Sequence, residues 1–196
     1  GESFSLDVST SGTFRAVGEG SGDVVSSVSP ATSSDMTVYE SEPVVTYESI
    51  SDTQINTGTY NKIFDFKVES TNDDDVKMEA IQLDVATSNF DSFSFANAAD
   101  TFKVFDDSDD TLVSSFASSS LSSGYLTLDG MSEELTSRSF YVKAKISSAV
   151  ATSSDSEQLN VSFRDDNAAF QWSDGTVSTN AALLTLPDDV MTLTLD

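Results

Sequence analysis

The chain of 196 residues contains no cysteine and no histidine. These two absences exclude disulfide scaffolds, and they exclude zinc or haem sites that are built on thiolate or imidazole ligands. A serine or cysteine nucleophile paired with a histidine base is excluded as well, because no imidazole is available to accept the proton. Paired carboxylates could in principle hydrolyse a glycosidic bond, but the clearest acidic clusters fall in predicted turns. We therefore expect no enzymatic activity and assign no catalytic residue.

Basic residues are also scarce, since 9 Lys and Arg stand against 33 Asp and Glu. The formal net charge is −24 and the isoelectric point is near 4.1. A nucleic-acid-binding protein needs a basic face to displace counterions, and an anionic membrane surface would repel this chain. No apolar run reaches the ~20 residues that a membrane-spanning helix needs. The sequence predicts neither a nucleic-acid partner nor membrane insertion.

Serine and threonine are abundant and together make up 56 of the 196 residues. A Ser/Thr/Asp-rich, lysine-poor and cysteine-free composition is typical of surface proteins that bacteria and archaea export. We therefore expect an extracellular or cell-surface location. Hydrophobic residues form only 38% of the chain, but 13 Phe, 5 Tyr and 1 Trp indicate a packed core.

Seven segments alternate apolar and polar residues with a period of two, which is typical of half-buried strands. They cover residues 4–8, 64–68, 81–85, 102–104, 140–146, 159–163 and 191–195. Clusters of Asp, Asn, Ser and Gly separate them and favour turns. Helical spacing is not sustained anywhere, although Ser132–Leu135 could form one short helical turn. The sequence predicts an all-β fold, an antiparallel immunoglobulin-like sandwich of about eight to ten strands.

Composition changes near Pro30 and divides the chain into two parts. Residues 1–35 hold five of the nine glycines and only two aromatic residues, Phe4 and Phe14. The part that is rich in core residues begins around Met36. We predict an extended N-terminal arm over residues 1–35 and a β-sandwich domain over residues 36–196.

The arm contains a candidate subunit interface. Phe4, Leu6 and Val8 alternate with polar residues in a short strand that precedes a Gly/Ser tract. Such a strand can pair with the open edge of a neighbouring subunit, where main-chain hydrogen bonds and alternate side chains both contribute. Repeated head to tail, that contact produces a filament. The alternative is an ordinary first strand in the sheet of the same chain.

Calcium is the only cofactor that the sequence suggests. Three loop clusters supply carboxylates, and calcium takes six to eight oxygen ligands. The clusters are Asp73–Asp75, Asp106–Asp110 and Asp165–Asn167. If one ordered site exists, we expect its ligands to be Asp106, Asp107, Asp109 and Asp110. The alternative is that these are solvated acidic turns.

Two further sites carry weaker signals. Asn160-Val161-Ser162 has the spacing of an N-glycosylation sequon, and the alternation of its strand places Asn160 on the outward face. Phe170 and Trp172 share one face of a predicted strand. We expect these two rings in the core, and the alternative is a stacking platform for a sugar.

Several blocks together resemble a known group of proteins. They are residues 12–22, 36–45, 63–68, 102–108, 139–144, 165–175 and 186–187. Their order resembles the secreted Ser/Thr-rich β-sandwich surface proteins of Patescibacteria, the ultra-small episymbiotic bacteria. The resemblance covers most of the chain and implies extracellular display, a sandwich fold and no enzymatic activity. It carries over no site residues.

These observations favour a structural function. We expect a subunit of an extracellular, pilus-like filament or surface coat that forms a homopolymer by donating its N-terminal strand. The first alternative is a calcium-dependent adhesin, a sandwich that binds a glycan or protein on a host-cell surface. The second alternative is one module of a surface-layer protein.

Overall fold

The computed structural model describes residues 41–70, 76–152, 156–166, 169–173 and 184–195, together with the backbone of short strands within residues 2–38 and 178–180. The chain divides into two compact units, Gly1–Glu40 and Ser41–Asp196. The division therefore lies between Glu40 and Ser41, whereas the composition placed it between residues 35 and 36.

The first unit is a ribbon of short antiparallel strand pairs. Its strands are β1 (Glu2–Phe4), β2 (Asp7–Val8), β3 (Ala16–Val17), β4 (Val24–Val25), β5 (Ala31–Thr32) and β6 (Met36–Val38). The pairs are nested, since β1 pairs with β6, β2 with β5 and β3 with β4. The chain thus folds back on itself, and Phe4 lies opposite Met36 while Val8 lies opposite Ala31. Leu6 lies outside the described residues.

The second unit contains the remaining strands. They are β7 (Pro43–Tyr47), β8 (Tyr60–Ser70), β9 (Lys77–Ser88), β10 (Phe90–Phe95), β11 (Phe102–Asp106), β12 (Thr111–Phe116), β13 (Leu121–Ser122), β14 (Tyr125–Leu128), β15 (Glu133–Glu134), β16 (Ser137–Ala151), β17 (Gln158–Phe163), β18 (Phe170–Ser173), β19 (Ser178–Asn180) and β20 (Val190–Thr194). A 3₁₀ turn at Ser118–Ser120 is the only helical element of the described residues. The helical turn expected at Ser132–Leu135 is wrong, because Glu133 and Glu134 pair with β9 as a strand.

The strands form two antiparallel sheets that pack against each other, which confirms the predicted sandwich. The first sheet has the order β12–β11–β16–β8–β7, and β10 pairs with the C-terminal part of β16. The second has the order β13–β14–β9–β17–β20, in which β9 also pairs with β15 and β18, and β18 with β19. Near the end of the chain, Gln54 forms an isolated parallel bridge with Thr194.

The core lies between the sheets and is strongly aromatic. Phe163 from the second sheet packs edge to face on Phe64 and Phe66 from the first, with ring centroids 5.0 and 5.6 Å apart. Phe170 and Trp172 are fully buried, as expected for core residues, so neither can present its ring to a sugar. In the described part of the chain, no helix has the length and apolar character needed to cross a membrane.

Candidate functional site

A β-bulge in β8 places a lysine, Lys62, on the outer face of the first sheet. The pairing of β16 with β8 runs from Val142 opposite Phe64 directly to Lys143 opposite Lys62, so Ile63 is the extra residue. Without the bulge, Lys62 would lie on the same side as the buried Phe64. With it, Lys62 shares the outer face with Asp65.

The outer face has its charged and aromatic residues in two rows across neighbouring strands. Lys62 on β8 lies opposite Lys143 on β16, which lies opposite Lys103 on β11. Asp65, Tyr141 and Phe105 form the next row in the same way. Like charges placed directly opposite each other destabilise a sheet, so the row of lysines depends on compensating neighbours.

Part of that compensation comes from aromatic rings. Tyr141 stacks on Phe105 with centroids 5.1 Å apart and an angle of 14° between the planes. The ammonium of Lys62 lies 4.5 Å from the centroid of Tyr141, and that of Lys143 lies 4.9 Å from both rings. Such cation–π contacts contribute about 0.5–2 kcal/mol each.

Carboxylates supply the rest of the compensation. Lys62 pairs with Asp65 and with Asp107, whose Oδ1 lies 3.2 Å from the ammonium. Lys103 pairs with Asp100 at 3.1 Å. Among the described lysines and arginines, Lys143 and Lys145 are the two without a carboxylate partner.

An acidic cleft opens beside the lysine row and has a volume of about 560 Å³. Its lining residues come from the segment after β7, from β8 and from the β11–β12 turn, and they are Glu48, Ser49, Ile50, Ser51, Asp52, Lys62, Asp65 and Asp107. The backbone N–H of Glu48 donates to the carbonyl oxygen of Asp65 at 3.1 Å and fixes the start of this segment. Four carboxylates and one ammonium therefore line the acidic cleft.

Asp65 is the buried member of the acidic cleft, with 5% of its surface exposed. Its Oδ2 pairs with Lys62, but its Oδ1 is buried without a hydrogen-bond partner. Burial raises the pKa of Asp65, and the pair with Lys62 offsets this only in part, since the nearby Asp107 and Glu48 raise it further. Burial opposes the charge on Lys62, yet its pairs with Asp65 and Asp107 raise the pKa of the ammonium overall.

Three of the four residues predicted to bind calcium have other partners. Asp106 is 5% exposed. Its Oδ2 accepts a hydrogen bond from Nε of Arg138 at 2.7 Å, and its Oδ1 accepts one from the backbone N–H of Ser108 at 2.8 Å. Burial raises the pKa of Asp106, but the bonds from Ser108 and Arg138 hold it below its usual value. Asp107 pairs with Lys62, whereas Asp109 accepts the N–H of Thr111 at 3.0 Å. Asp110 is exposed.

The structure does not bring these carboxylates together as a metal site. Among the described residues, no three acidic side chains converge in a way that could hold an ion. Asp73–Asp75 and Asn167 lie outside the described residues, and Asp166 pairs with Arg164. Calcium binding at Asp106, Asp107, Asp109 and Asp110 stays a prediction that the structure does not support by geometry.

Asn160 lies on the outward face of β17, between the buried Leu159 and Val161. Its side-chain oxygen accepts a hydrogen bond from the hydroxyl of Thr192 at 2.8 Å. The alternation predicted for this strand is therefore confirmed. Glycosylation of Asn160 stays a prediction.

Comparison with known proteins gives no relative for this fold and site. No family model matches the chain, no curated protein matches it, and no solved structure matches it. What the structure itself defines is the class: an antiparallel β-sandwich preceded by a β-ribbon unit.

Sequence reasoning did not identify the acidic cleft. Its residues come from three separate stretches, and none of them forms a motif along the chain. One local signal was present, because Lys62 and Asp65 interrupt the alternation of β8 with a spacing of three. Two strand residues that are three positions apart lie on the same face only when a bulge separates them.

Proposed function

We propose that the chain is a structural subunit of an extracellular filament or surface coat, and that it assembles head to tail through the ribbon of residues 1–40. One observation carries the proposal. The ribbon is two strands wide, so in the described pairings each of its strands has one neighbour and one open edge. A two-stranded ribbon is marginally stable by itself in water, and a third strand from another subunit would stabilise it.

The sandwich offers an edge that could supply this third strand. β7 is an edge strand, and β8 is its only partner in the described pairings. Val44 on β7 presents an apolar side chain that is 48% exposed. Pairing between β7 of one subunit and the ribbon of the next would satisfy main-chain donors and cover this side chain.

The ribbon changes how donation must work. Because β1 already pairs with β6, the donated element is the edge of a ribbon rather than a single extended strand. Phe4, Leu6 and Val8 remain the side chains proposed to dock, and full burial of each would contribute about 1.5–3 kcal/mol. Part of that gain offsets the cost of ordering the ribbon.

The charge and composition fit an extracellular assembly. A net charge of −24 makes neighbouring subunits repel each other, which opposes compact aggregation and must also be overcome at the proposed contact. Assembly should therefore respond to salt, which screens exposed charges over about 8–10 Å at physiological strength.

The test is to compare the intact chain with a chain that lacks residues 1–40. Negative-stain electron microscopy and light scattering after size exclusion should show regular filaments or ladders of oligomers for the intact chain. The shortened chain should remain a folded monomer, because Ser41–Asp196 is a compact unit of its own and contains the core between the two sheets.

A double substitution sharpens this experiment. Phe4→Ser with Val8→Ser should abolish the oligomers. Val150→Ser should not, since it removes an apolar side chain that is 45% exposed but lies on β16 opposite β10 and not on β7. Monomers of the intact chain at every concentration and salt would overturn the proposal, and so would oligomers that survive the deletion.

A further inference from the structure

We propose that a second copy of the chain docks on the outer face of the first sheet, where its acidic turn pairs with Lys143 and Lys145. The acidic turn is residues 107–110 between β11 and β12, and the carboxylates that pair are those of Asp109 and Asp110. This inference rests on the proposed function, because it adds a second contact between subunits that the ribbon brings together.

The first argument is that the two lysines have no carboxylate partner. Every other lysine or arginine whose side chain the structure describes forms an ion pair. The chain has 33 acidic residues against 9 basic ones, so two unpaired ammoniums are unexpected in it. Lys143 also lies opposite Lys62 and Lys103, and like charges in this arrangement destabilise a sheet. Two carboxylates from outside would relieve that repulsion.

The second argument is that aromatic rings hold the two ammoniums in place. Nζ of Lys143 lies 4.9 Å from the ring centroids of Phe105 and Tyr141. Nζ of Lys145 lies 5.9 Å from the ring centroid of Tyr60, and both lysines are half-buried. A side chain that is already held against a ring loses less freedom when it forms an ion pair, which lowers the entropic cost of the contact.

The third argument identifies the occupant by its charge. All four residues of the acidic turn are exposed at the tip of the β11–β12 hairpin. Asp109 accepts the backbone N–H of Thr111 at 3.0 Å, and no lysine or arginine of the described residues pairs with Asp109 or Asp110. Two adjacent carboxylates without a cation on one copy therefore match two ammoniums without a carboxylate on the next.

The acidic turn also has a fixed shape. The backbone N–H of Asp107 donates to the carbonyl oxygen of Ser139 at 2.9 Å and ties the turn to β16. A preorganised turn loses little conformational freedom on docking. Asp188 and Asp189 are also adjacent and exposed, but they lie in a stretch that is neither strand nor turn. They supply a matched control for the experiment.

This contact reinforces assembly and does not replace the ribbon. Ion pairs at exposed positions are individually weak, so two of them do not hold two subunits together. Charged pairs of this kind mainly select the partner and its orientation. Variants of the ribbon therefore still abolish the oligomers, whereas variants of the lysines or the acidic turn weaken them.

The test measures the association constant between subunits of the full chain, by light scattering over a dilution series. Lys143→Gln with Lys145→Gln removes both charges and keeps most of each side-chain stem. Asp109→Asn with Asp110→Asn keeps an acceptor for Thr111, and asparagine tolerates the φ of +57° at position 110. Each double variant should weaken association about 10-fold, a difference of about 1.4 kcal/mol.

The aspartate variant distinguishes this contact from general repulsion. It changes the net charge to −24 + 2 = −22, so weaker repulsion alone would strengthen association. Asp188→Asn with Asp189→Asn makes the same change outside the acidic turn and should leave association unchanged or stronger. If the variant of the acidic turn assembles as well as this control, the proposal is overturned.

The chain with all four substitutions at the lysines and the acidic turn completes a double-mutant cycle. Its net charge is −24 − 2 + 2 = −24, the same as that of the wild type. Because both double variants remove one shared contact, the combined loss should stay near 10-fold, whereas independent effects would multiply to about 100-fold. High salt should reduce the difference from the wild type, because it screens the ion pairs.

The outcomes separate this inference from the proposed function. Filaments that form equally well in the wild type and in every lysine and aspartate variant overturn the docking contact and leave assembly through the ribbon standing. A loss near 100-fold in the fourfold variant also overturns the contact. Absence of filaments in the wild type overturns both proposals.

Discussion

Tyr141 lies directly opposite Asp65 in the pairing of β16 with β8, and each residue holds a buried polar atom without a hydrogen-bond partner. Tyr141 is only 4% exposed although it stands on the outer face of its sheet, because lysine side chains cover its ring. Unsatisfied groups of this kind lower stability, and folded proteins concentrate such costs at functional positions. Asp65, which lines the acidic cleft, and its neighbour Tyr141 therefore form a pair that lowers the stability of the fold.

The hydroxyl of Tyr141 should be dispensable for folding. Tyr141→Phe removes an unpaired buried group and keeps the ring, so we expect stability to be unchanged or to rise by about 1 kcal/mol. Tyr60→Phe is the matched control, because its hydroxyl bonds to the carbonyl oxygen of Asp100 at 2.7 Å, and it should cost about 1 kcal/mol. Urea unfolding measures both, and a clear loss in Tyr141→Phe would contradict the expectation.

Asp65 should make the protein less stable as the pH rises. Its pKa in the folded state is raised above the usual 3.8, so above that pH the folded chain holds its proton more tightly than the unfolded chain. Stability then falls as pH rises through this window and levels off above the raised pKa. Asp65→Asn should remove the slope. The measurement is the free energy of unfolding of both proteins from pH 3.5 to 7, and parallel curves would contradict the assignment.

Asp106 should have the opposite effect on the pH dependence of stability, and at a lower pH than Asp65. Its pKa lies below 3.8, so its contribution is complete above that pH and is lost as the pH falls toward the lowered value. Asp106→Asn removes one of the two carboxylates that pair with the guanidinium of Arg138, since Glu133 remains at 2.9 Å, and should cost about 1–3 kcal/mol at pH 7. Asp109→Asn, in an exposed position of the same turn, should cost no more than about 1 kcal/mol.

The same variants also test the predicted calcium site. If no calcium binds, added calcium should not change the differences in unfolding midpoint between the wild type, Asp106→Asn and Asp109→Asn. A calcium-dependent gain in the wild type that both substitutions abolish would instead establish ligands at Asp106 and Asp109.

The turn between β13 and β14 can be improved. Ser123 and Gly124 have φ angles of +55° and +85°, and Ser122 pairs with Tyr125 across them. Such a two-residue turn favours Asn followed by Gly. Ser123→Asn should stabilise the protein by about 0.5 kcal/mol. Gly124→Ala should destabilise it by about 1 kcal/mol, because alanine rarely adopts the positive φ angle of this position. A steric clash would not contribute, since the added carbon would lie at an ordinary contact distance of 3.7 Å from the Val85 oxygen. Equal melting temperatures of the two variants would contradict this.

Alternation in the sequence predicted the long strands well, because their inner faces meet a continuous core. Residues 64–68, 140–146 and 159–163 lie within β8, β16 and β17. The pattern missed β10, in which Phe90, Phe93 and Phe95 are not spaced by two throughout. Register shifts at Phe90/Ser92 and Ser94/Phe95 explain the irregular spacing, and local sequence does not show them.

The acidic cleft could not be predicted for a related reason. Alternation correctly places Asp65 on the face away from Phe64 and Phe66. It also implies that the side chain of Asp65 is exposed to water, whereas the side chain is buried. Its burial depends on Lys62, which a bulge turns outward, and on Tyr141, which lies 76 positions further along the chain. The partners of a strand residue across a sheet are fixed by topology, which short patterns do not encode.

The parallel bridge between Gln54 and Thr194 has a mechanical consequence. The N–H of Ile55 donates to Thr194 at 2.8 Å, and the N–H of Thr194 donates to Thr53 at 2.8 Å. The two segments run in the same direction. A force that pulls the N-terminal and C-terminal ends of the sandwich apart therefore pulls the two segments in opposite directions along their common axis. Both hydrogen bonds are then loaded in shear and must break together, so this short contact resists pulling more than its length suggests.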